Sequence, residues 1–437
     1  MIVRDPLIVI VIAGVLCSAA QLASGQPAAD EPGPLKVGLA RVDITPEGPV
    51  YMAGFAARTE PSEGAYAPIS ASCVVFDNAV TRVAIVAIDV CKIGIPQMEK
   101  IRAAAEQVGI PPQHVMINSS HTHCGPTIIG DKNPDYLPVF EERVCGLLPS
   151  AVNDLQEAVL DYTVGSSTMA VNRRQLDDEG HCVGMRPEPR KPIDPDVPIL
   201  RVLTPDGSVR AVIFGYACHP TTMGGQQIGP DYPGFAREWI EAAYPDALAV
   251  FLQGCGGDIK PRYCAANGRF GYVLIEPEET VREIGHELGR AVLTALAVPP
   301  EPVPAGGDGS LVLGGITHLV EVPDKEEPES ESHEIYNGAW RIGDVYLFGS
   351  QCELCSRIGL RIKRELSDLR VWTCGYTHWG GGYIVDAAQF PEGGYEVNSS
   401  ACAPETEDIL VGNAVRFISE LQQRPVHDGP IPGPESE

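Results

Sequence analysis

Two histidines one residue apart, His121 and His123, follow the apolar run HVMIN in the segment SSHTHCGPT (119–127), in a chain with only 10 histidines. Residues two apart at a strand end share a side, so both imidazoles can face one cavity. Two readings are open for such a pair: a hydrogen-bonded polar turn, or half of a metal site whose other ligands come from elsewhere. A second block, ACHPTTM, ends the apolar run AVIFGYA and holds His219 beside Pro220. Glu353 follows the run DVYLFGS, in the segment QCEL. Taken singly, each has a structural explanation; a carboxylate at a helix start, for example, complements the helix dipole. Taken together, two strand-end histidine blocks, a carboxylate and a nearby tyrosine supply the nitrogen and oxygen donors that zinc accepts. A hydrolytic zinc site keeps a further position open to water.

These residues need a scaffold that brings distant strand ends together. Polar and glycine-rich residues cluster where apolar runs stop: AIDV at Asp89, MINSS before His121, FGYAC before His219, VFLQG before CGGD with Asp258, and YLFGS before Glu353. Sites in α/β folds gather at strand carboxyl ends. Strand-like runs are KVGLARVDI, SCVVFD, RVAIVAIDV, HVMINS, DYTVGSSTMAV, AVIFGYACH, ALAVFLQG, SLVLGGITHLVEV and DVYLFGS. Helical periodicity marks PQMEKIRAAAEQVG, GFAREWIEAAY, VREIGHELGRAVLTALAV, SRIGLRIKREL and DILVGNAVRFISELQQ. Alternation of the two predicts the α/β class, and the continuous Val/Ile/Ala strands predict sheets covered on both faces. No internal repeat is visible. Residues 297–310 are the best internal hinge candidate, and the acidic run 324–334 reads as a solvated loop. Asp43, Asp231 and Asp258 read as braces of turns or loops, His114, His286 and His318 as structural or surface residues.

The chain of 437 residues is 44% apolar and 21% charged, enough for one large core or two, and its formal net charge is −26. A surface that acidic repels nucleic acid and anionic lipid, which excludes both as expected partners. The start carries Arg4, an apolar run from Leu7 to Leu16, and Ala23 and Gly25 at the small-residue positions of a signal-peptidase site. That run is too short for a comfortable membrane span, so residues 1–25 read as a cleaved export signal rather than an anchor, with a periplasmic or extracellular destination and no stable membrane insertion. Residues 26–35 form a Pro-rich lead-in, 36–423 the folded domain, and 424–437 a Pro-rich, acidic tail expected to be disordered. Of 13 cysteines, twelve remain once Cys17 is removed, an even number that predicts disulfides in an oxidising compartment. Cys124, Cys218 and Cys255 stand beside motif residues and are expected to include pairs that stiffen them. Cys352 and Cys355 form a lone CxxC, too little for a structural zinc knuckle.

Five blocks resemble the catalytic domain of the neutral/alkaline, non-lysosomal ceramidases. VGLARVDITP is similar to that family's opening strand, INSSHTHCGPT to its His-Thr-His block, VNRR (171–174) to its Asn-Arg segment, and ACHPTTM to its second histidine block. QCELCSRIGLRIKR followed by GGGYIVDAAQFPEGGYE resembles its glutamate and closing tyrosine blocks. The likeness runs from about Val37 to about Glu396 in the family's order. It implies a single large domain of mixed β-sheets flanked by helices. It implies one zinc ion held by His121, His219, Glu353 and Tyr383, with His123, Arg173 and Tyr395 facing the substrate carbonyl. Water on zinc would attack an N-acyl carbonyl, in a lipid or small-molecule substrate, while Tyr395 and His123 hold the oxyanion.

The departures bear on the reaction. Where the family carries a serine in a Gly-Asp-Val-Ser-Pro turn, this chain reads GGDIKP, with Lys260 at that place. Zinc-bound water then attacks without a hydroxyl, or the reaction differs; Lys260 donates a proton to a leaving group, pairs with an anionic substrate, or is a loop lysine with no role. His378 and Gly380 replace an Asn and a Tyr, and His378 is expected to shape its loop. The family's immunoglobulin-like C-terminal domain is expected to be absent, and a shorter middle predicts no deep acyl-chain pocket. The reading is an exported zinc-dependent amide hydrolase. Its rivals are a zinc esterase or amidase acting on a small polar or carbohydrate-linked substrate, and a secreted binding protein without catalysis. A metal-dependent barrel beginning with HxH is disfavoured by the strand-rich stretch 159–219.

Overall fold

Strands that are apolar at every position must be covered on both faces, and the computed structural model of the chain shows how. It describes residues 33–263, 268–271, 276–305 and 310–423. The proposed signal segment, most of the lead-in and the tail lie outside the described residues. The first sheet holds Lys36–Asp43 (β1), Ser70–Asp77 (β2), Arg82–Ile88 (β3), Val115–Ser119 (β4) and the short Gln156–Glu157 (β5), in the order β4-β3-β2-β1-β5. The second holds Val159–Ser166 (β6), Asp196–Leu203 (β7), Val209–Tyr216 (β8), Leu248–Gln253 (β9) and Glu301–Pro302 (β10), in the order β9-β8-β7-β6-β10. The third holds Leu313–Pro323 (β11), Ser332–Ile342 (β12), Val345–Ser350 (β13) and Arg370–Cys374 (β14), in the order β14-β13-β12-β11.

The three sheets share one plan. Three antiparallel strands are followed by a helix that crosses over to a fourth strand, parallel to the third: Ile95–Gln107 (α1) before β4, Asp231–Ala243 (α4) before β9, and Ser356–Glu365 (α6) before β14. Further helices then return over the sheet: Tyr136–Cys145 (α2) with Leu147–Asn153 (α3), Pro277–Leu296 (α5), and Thr406–Gln423 (α7). This threefold order is invisible as sequence repetition because the three units share topology and not side chains.

One face of each sheet packs into a common central core. Along β2, Val74 and Phe76 enter it while Cys73 and Val75 turn outward; along β8, Ala211 and Ile213 enter while Val212 and Phe214 turn outward. In β13, Val345 and Leu347 face the centre, and Tyr346 and Phe348 meet the cluster that includes Ile358 of α6 and Phe417 of α7. The period of two, with both faces apolar, is what makes the strands read as unbroken runs. Trp372 is buried in the central core.

Sequence reading missed β7, β12 and β14, and the helices α2 and α3. Both helices carry a proline, Pro138 and Pro149, which reads as a breaker but sits in the first turn, where the ring is tolerated. The acidic run is a loop only to Glu331, since β12 starts at Ser332 and pairs with β11. The expected disulfides are absent: all eleven cysteines among the described residues are free thiols. The Cys124 and Cys218 thiols lie against the carbonyls of Met223 and His219, and Cys255 packs closely on Gly359. They are small buried fillers, and burial raises the Cys124 and Cys255 thiols to about 12. No described helix is long and apolar enough to cross a membrane.

Candidate metal centre

The parallel strands of the three sheets end at one place. Asn118 at the end of β4 ties them together: its Nδ2 donates to the carbonyl of Gly375, just past β14, at 2.9 Å, and its Oδ1 accepts from the Gln253 amide of β9 at 2.8 Å. The third strands stop at Ile88, Tyr216 and Ser350, and three residues on stand Cys91, His219 and Glu353. The fourth strands stop at Ser119, Gln253 and Cys374, and two residues on stand His121, Cys255 and Tyr376. The donors therefore come from equivalent points of the three units. His121 and Tyr376 share a left-handed backbone, φ 65° and 55°, and their rings lie 4.3 Å apart.

The donor atoms of His121, His219 and Glu353 all lie within 4.8 Å of one another. Glu353 Oε2 is 3.0 Å from His219 Nε2 and 3.4 Å from His121 Nε2. Each histidine points its other nitrogen away: Nδ1 lies 2.7 Å from the carbonyl of Cys91 in His121 and 2.7 Å from that of Gly256 in His219. A carbonyl only accepts, so Nδ1 carries the proton and Nε2 is aimed at the centre, as in histidine–metal sites with an orienting partner. Glu353–Leu354 pairs in parallel with Tyr383–Ile384, which sets Tyr383 opposite Glu353; its hydroxyl lies 3.4 Å from His219 Nε2. Glu353 keeps 16% of its side chain exposed, so the cluster opens to solvent.

Burial and charge set the protonation. Burial would raise the Glu353 carboxyl, but His121 and His219 outweigh it and hold it well below its usual range. Burial lowers His219 to about 4, helped by the charge of Arg173. Burial pulls His121 down as well, yet Cys91 and Glu353 prevail and hold it at about 10. His123 is driven well below its ordinary value by burial and by the two neighbouring imidazoles, so it is neutral. A proton on His121 thus satisfies Glu353 where a cation would otherwise stand. Two inward Nε2 atoms and a carboxylate oxygen, opened to solvent, fit a zinc ion.

Around this set stand the other residues singled out from sequence. His123 Nε2 is 3.2 Å from His121 Nε2, and the His123 ring meets Phe55 edge-on at 4.8 Å. Gly54, at φ 99°, is required behind it: a Cβ there would lie 2.3 Å from His123 Cγ. Arg173 donates to the Tyr383 hydroxyl at 3.0 Å and to Glu396 at 2.7 Å. Tyr395 is 50% exposed, 5.6 Å ring to ring from Tyr383 and 5.8 Å from the Arg173 guanidinium carbon. Lys260 stands to one side, over the Phe270 ring at 5.1 Å, in an adjoining pocket. His378 is buried between Tyr336 and Trp340, and both its ring nitrogens lack a hydrogen-bond partner among the described residues. Asp258 is a brace, as read: it accepts from Asn172, the Ser356 amide and Gln389. Asp231 accepts from the amides of Thr222 and Met223, and Asp43 from that of Thr45.

Sequence reasoning missed Glu396, Cys91 and Tyr376. Glu396 is 1% exposed and clamps two guanidinia, Arg173 and Arg174, at 2.7 and 2.6 Å. The adjacent arginines of VNRR were a signal that a buried acid must exist, but nothing local names it. Cys91 and Tyr376 become visible only through the threefold topology.

This assembly of three mixed sheets around one centre matches known structures over nearly its whole length. The neutral ceramidase of Pseudomonas aeruginosa aligns with TM-score 0.74 and 19% identity, over 92% of this chain and 76% of that one. The chain has the neutral ceramidase fold. A ceramidase complexed with C2 gives TM-score 0.73 and 19% identity, over 91% and 77% of the two chains. No family model and no curated protein sequence matches the chain. At 19% identity the ceramidase fold is kept while most side chains differ, so chemistry must be argued from the site.

Proposed function

We propose that the chain is an exported, zinc-dependent hydrolase of an amide C–N bond, acting on an N-acyl substrate. The observation that carries this is the convergence of His121, His219 and Glu353, from three different sheets, within 4.8 Å. Tyr383 completes the set that would hold zinc. When bound, zinc acidifies water and polarises a carbonyl. His123, neutral and beside the ligands, is placed to donate a hydrogen bond to the carbonyl oxygen as it gains charge, and the exposed Tyr395 hydroxyl offers a second donor. Arg173 fixes the Tyr383 phenol and lends positive potential, and Glu396 holds Arg173 in place. Hydrolysis forms a C–O bond, breaks C–N, and delivers a proton to the departing nitrogen. The fold of the neutral ceramidases supports the amide as the bond cleaved, and the start at residues 1–25 supports export.

Elemental analysis of the purified chain beside His121→Ala and Glu353→Ala variants tests the reading, together with hydrolysis of N-acyl amides of graded chain length. About one zinc per chain is expected, lost with activity in both variants. Full zinc in Glu353→Ala would remove that residue from the ligand set. Zinc without turnover of any amide would leave a binding protein on this scaffold.

A further inference from the structure

Beside the metal centre lies a cavity of about 210 Å³, lined by Phe55, Thr221, Met223, Lys260, Phe270 and Thr280. It adjoins the centre at two points. Phe55 forms one wall and rests edge-on against His123. Thr221 follows His219 and Pro220 directly, and the His219 amide donates to the carbonyl of Ile259, the residue before Lys260. A group held in this cavity is therefore within a few atoms of a substrate carbonyl at His123.

The polar lining selects a charge. Lys260 brings an ammonium group that no carboxylate among the described residues pairs with, and it rests over the face of Phe270. Asp231 acts on it only at a distance, since the Asp231 oxygens are taken by the amides of Thr222, Met223 and Tyr232. Thr221 and Thr280 add buried hydroxyls without a hydrogen-bond partner among the described residues. Arg58, over the Phe55 ring, adds a second cation, bonded to carbonyls and, among the described residues, to no carboxylate. In a chain with 58 acidic and 32 basic residues, cations left unpaired beside a site stand out against the composition. Burying an ammonium group without a counter-charge is unfavourable, and an anionic ligand relieves it. Burial and Arg173 lower the Lys260 amine to about 8, so it still holds its proton at neutral pH.

We propose that Lys260 makes this enzyme selective for substrates with an anionic group, carboxylate or phosphate, a few atoms from the scissile amide, held by Lys260 and the Thr221 and Thr280 hydroxyls. The inference rests on the amide-hydrolase reading. The cavity is too small for a long acyl chain and suits a compact headgroup. The anion contributes no covalent step; it orients the amide and lowers KM.

The test compares N-octanoylglycine with its neutral carboxamide, N-octanoylglycinamide, and N-octylsuccinamic acid with its diamide, in the full-length zinc-loaded protein. The first pair places the anion on the amine side and the second on the acyl side. Octyl phosphate as a competitive inhibitor compares phosphate with carboxylate. One carboxylate is expected to exceed its neutral partner about tenfold to a hundredfold in kcat/KM. The preference should collapse to near one in Lys260→Met and persist in Lys260→Arg. Binding of the non-hydrolysable ketomethylene isosteres, charged and neutral, is measured by calorimetry on the same proteins. Equal affinity for charged and neutral isosteres, or a preference untouched in Lys260→Met, overturns the proposal. Lys260-dependent preference in binding with no turnover of any substrate would uphold the anion site and sink the hydrolase reading instead.

Discussion

Zinc binding should release one proton, and that proton should come from His121. His219, at about 4, and Glu353, held well below its usual range, are ready to bind at any pH above 5. Tyr383 is raised well above its ordinary value by burial, and a phenol that stays protonated releases nothing. His121, at about 10, is the one member of the set that must lose a proton at neutral pH. Competition by that proton at pH 7 weakens zinc by about three decades, or about 4 kcal/mol, relative to a site with His121 already neutral. The sign is fixed: affinity rises with pH, by about one decade per unit, until His121 deprotonates. The useful window is about pH 5 to 6.5, below the range where water on zinc titrates, and across it affinity should climb by about 1.5 decades. Titration calorimetry in two buffers of different ionisation enthalpy counts the protons directly. Zero protons released would show that Cys91 and Glu353 do not hold His121 protonated. Two would show that His219 is not neutral or that Tyr383 binds as a phenolate, and either result would refute the protonation scheme.

Glu396→Gln leaves Arg173 and Arg174 buried beside a neutral amide, and breaking such a pair should cost about 3 kcal/mol or more in urea unfolding. Its zinc content should stay near one while kcat/KM falls, because Arg173 loses the anchor that aims it at Tyr383. Asp386 is buried, and burial with the Asp258 charge raises it from 3.8 to about 7, so it is protonated in the fold where the unfolded chain is ionised. Stability is therefore lost as pH rises from about 4 to 7, by up to about 4 kcal/mol. Asp386→Asn should be the more stable protein at pH 8 and lose that advantage near pH 3.5, as urea midpoints at the two pH values will show.

Much of the scaffold was legible because covered strands announce themselves. RVAIVAI and VYLFGS are apolar on both faces and lead, three residues past their ends, to Cys91 and Glu353 at the centre. Strands such as SHEIYNGAWRI were not, because polar and glycine positions interrupt the pattern and only pairing with both neighbours makes them strands. The disulfide expectation failed because cysteine count reports a compartment, not a distance; nine of the eleven described thiols are buried singly, and two are half-buried.

By itself the sequence determined the class of the fold, the strand ends that carry chemistry, and the donor types at His121, His219 and Glu353, since these are local properties of a run and the residue that stops it. Only the tertiary structure decided that those strand ends meet. They do because three topologically alike units pack their inner faces into one core, which brings carboxyl ends more than 90 residues apart in sequence to a single point. The same packing placed Glu396 behind Arg173 and left Lys260 facing a cavity with no acid among its described lining residues, and neither relation is written in any stretch of neighbouring residues. Long-range electrostatics is a property of distance in space, and the fold alone sets it.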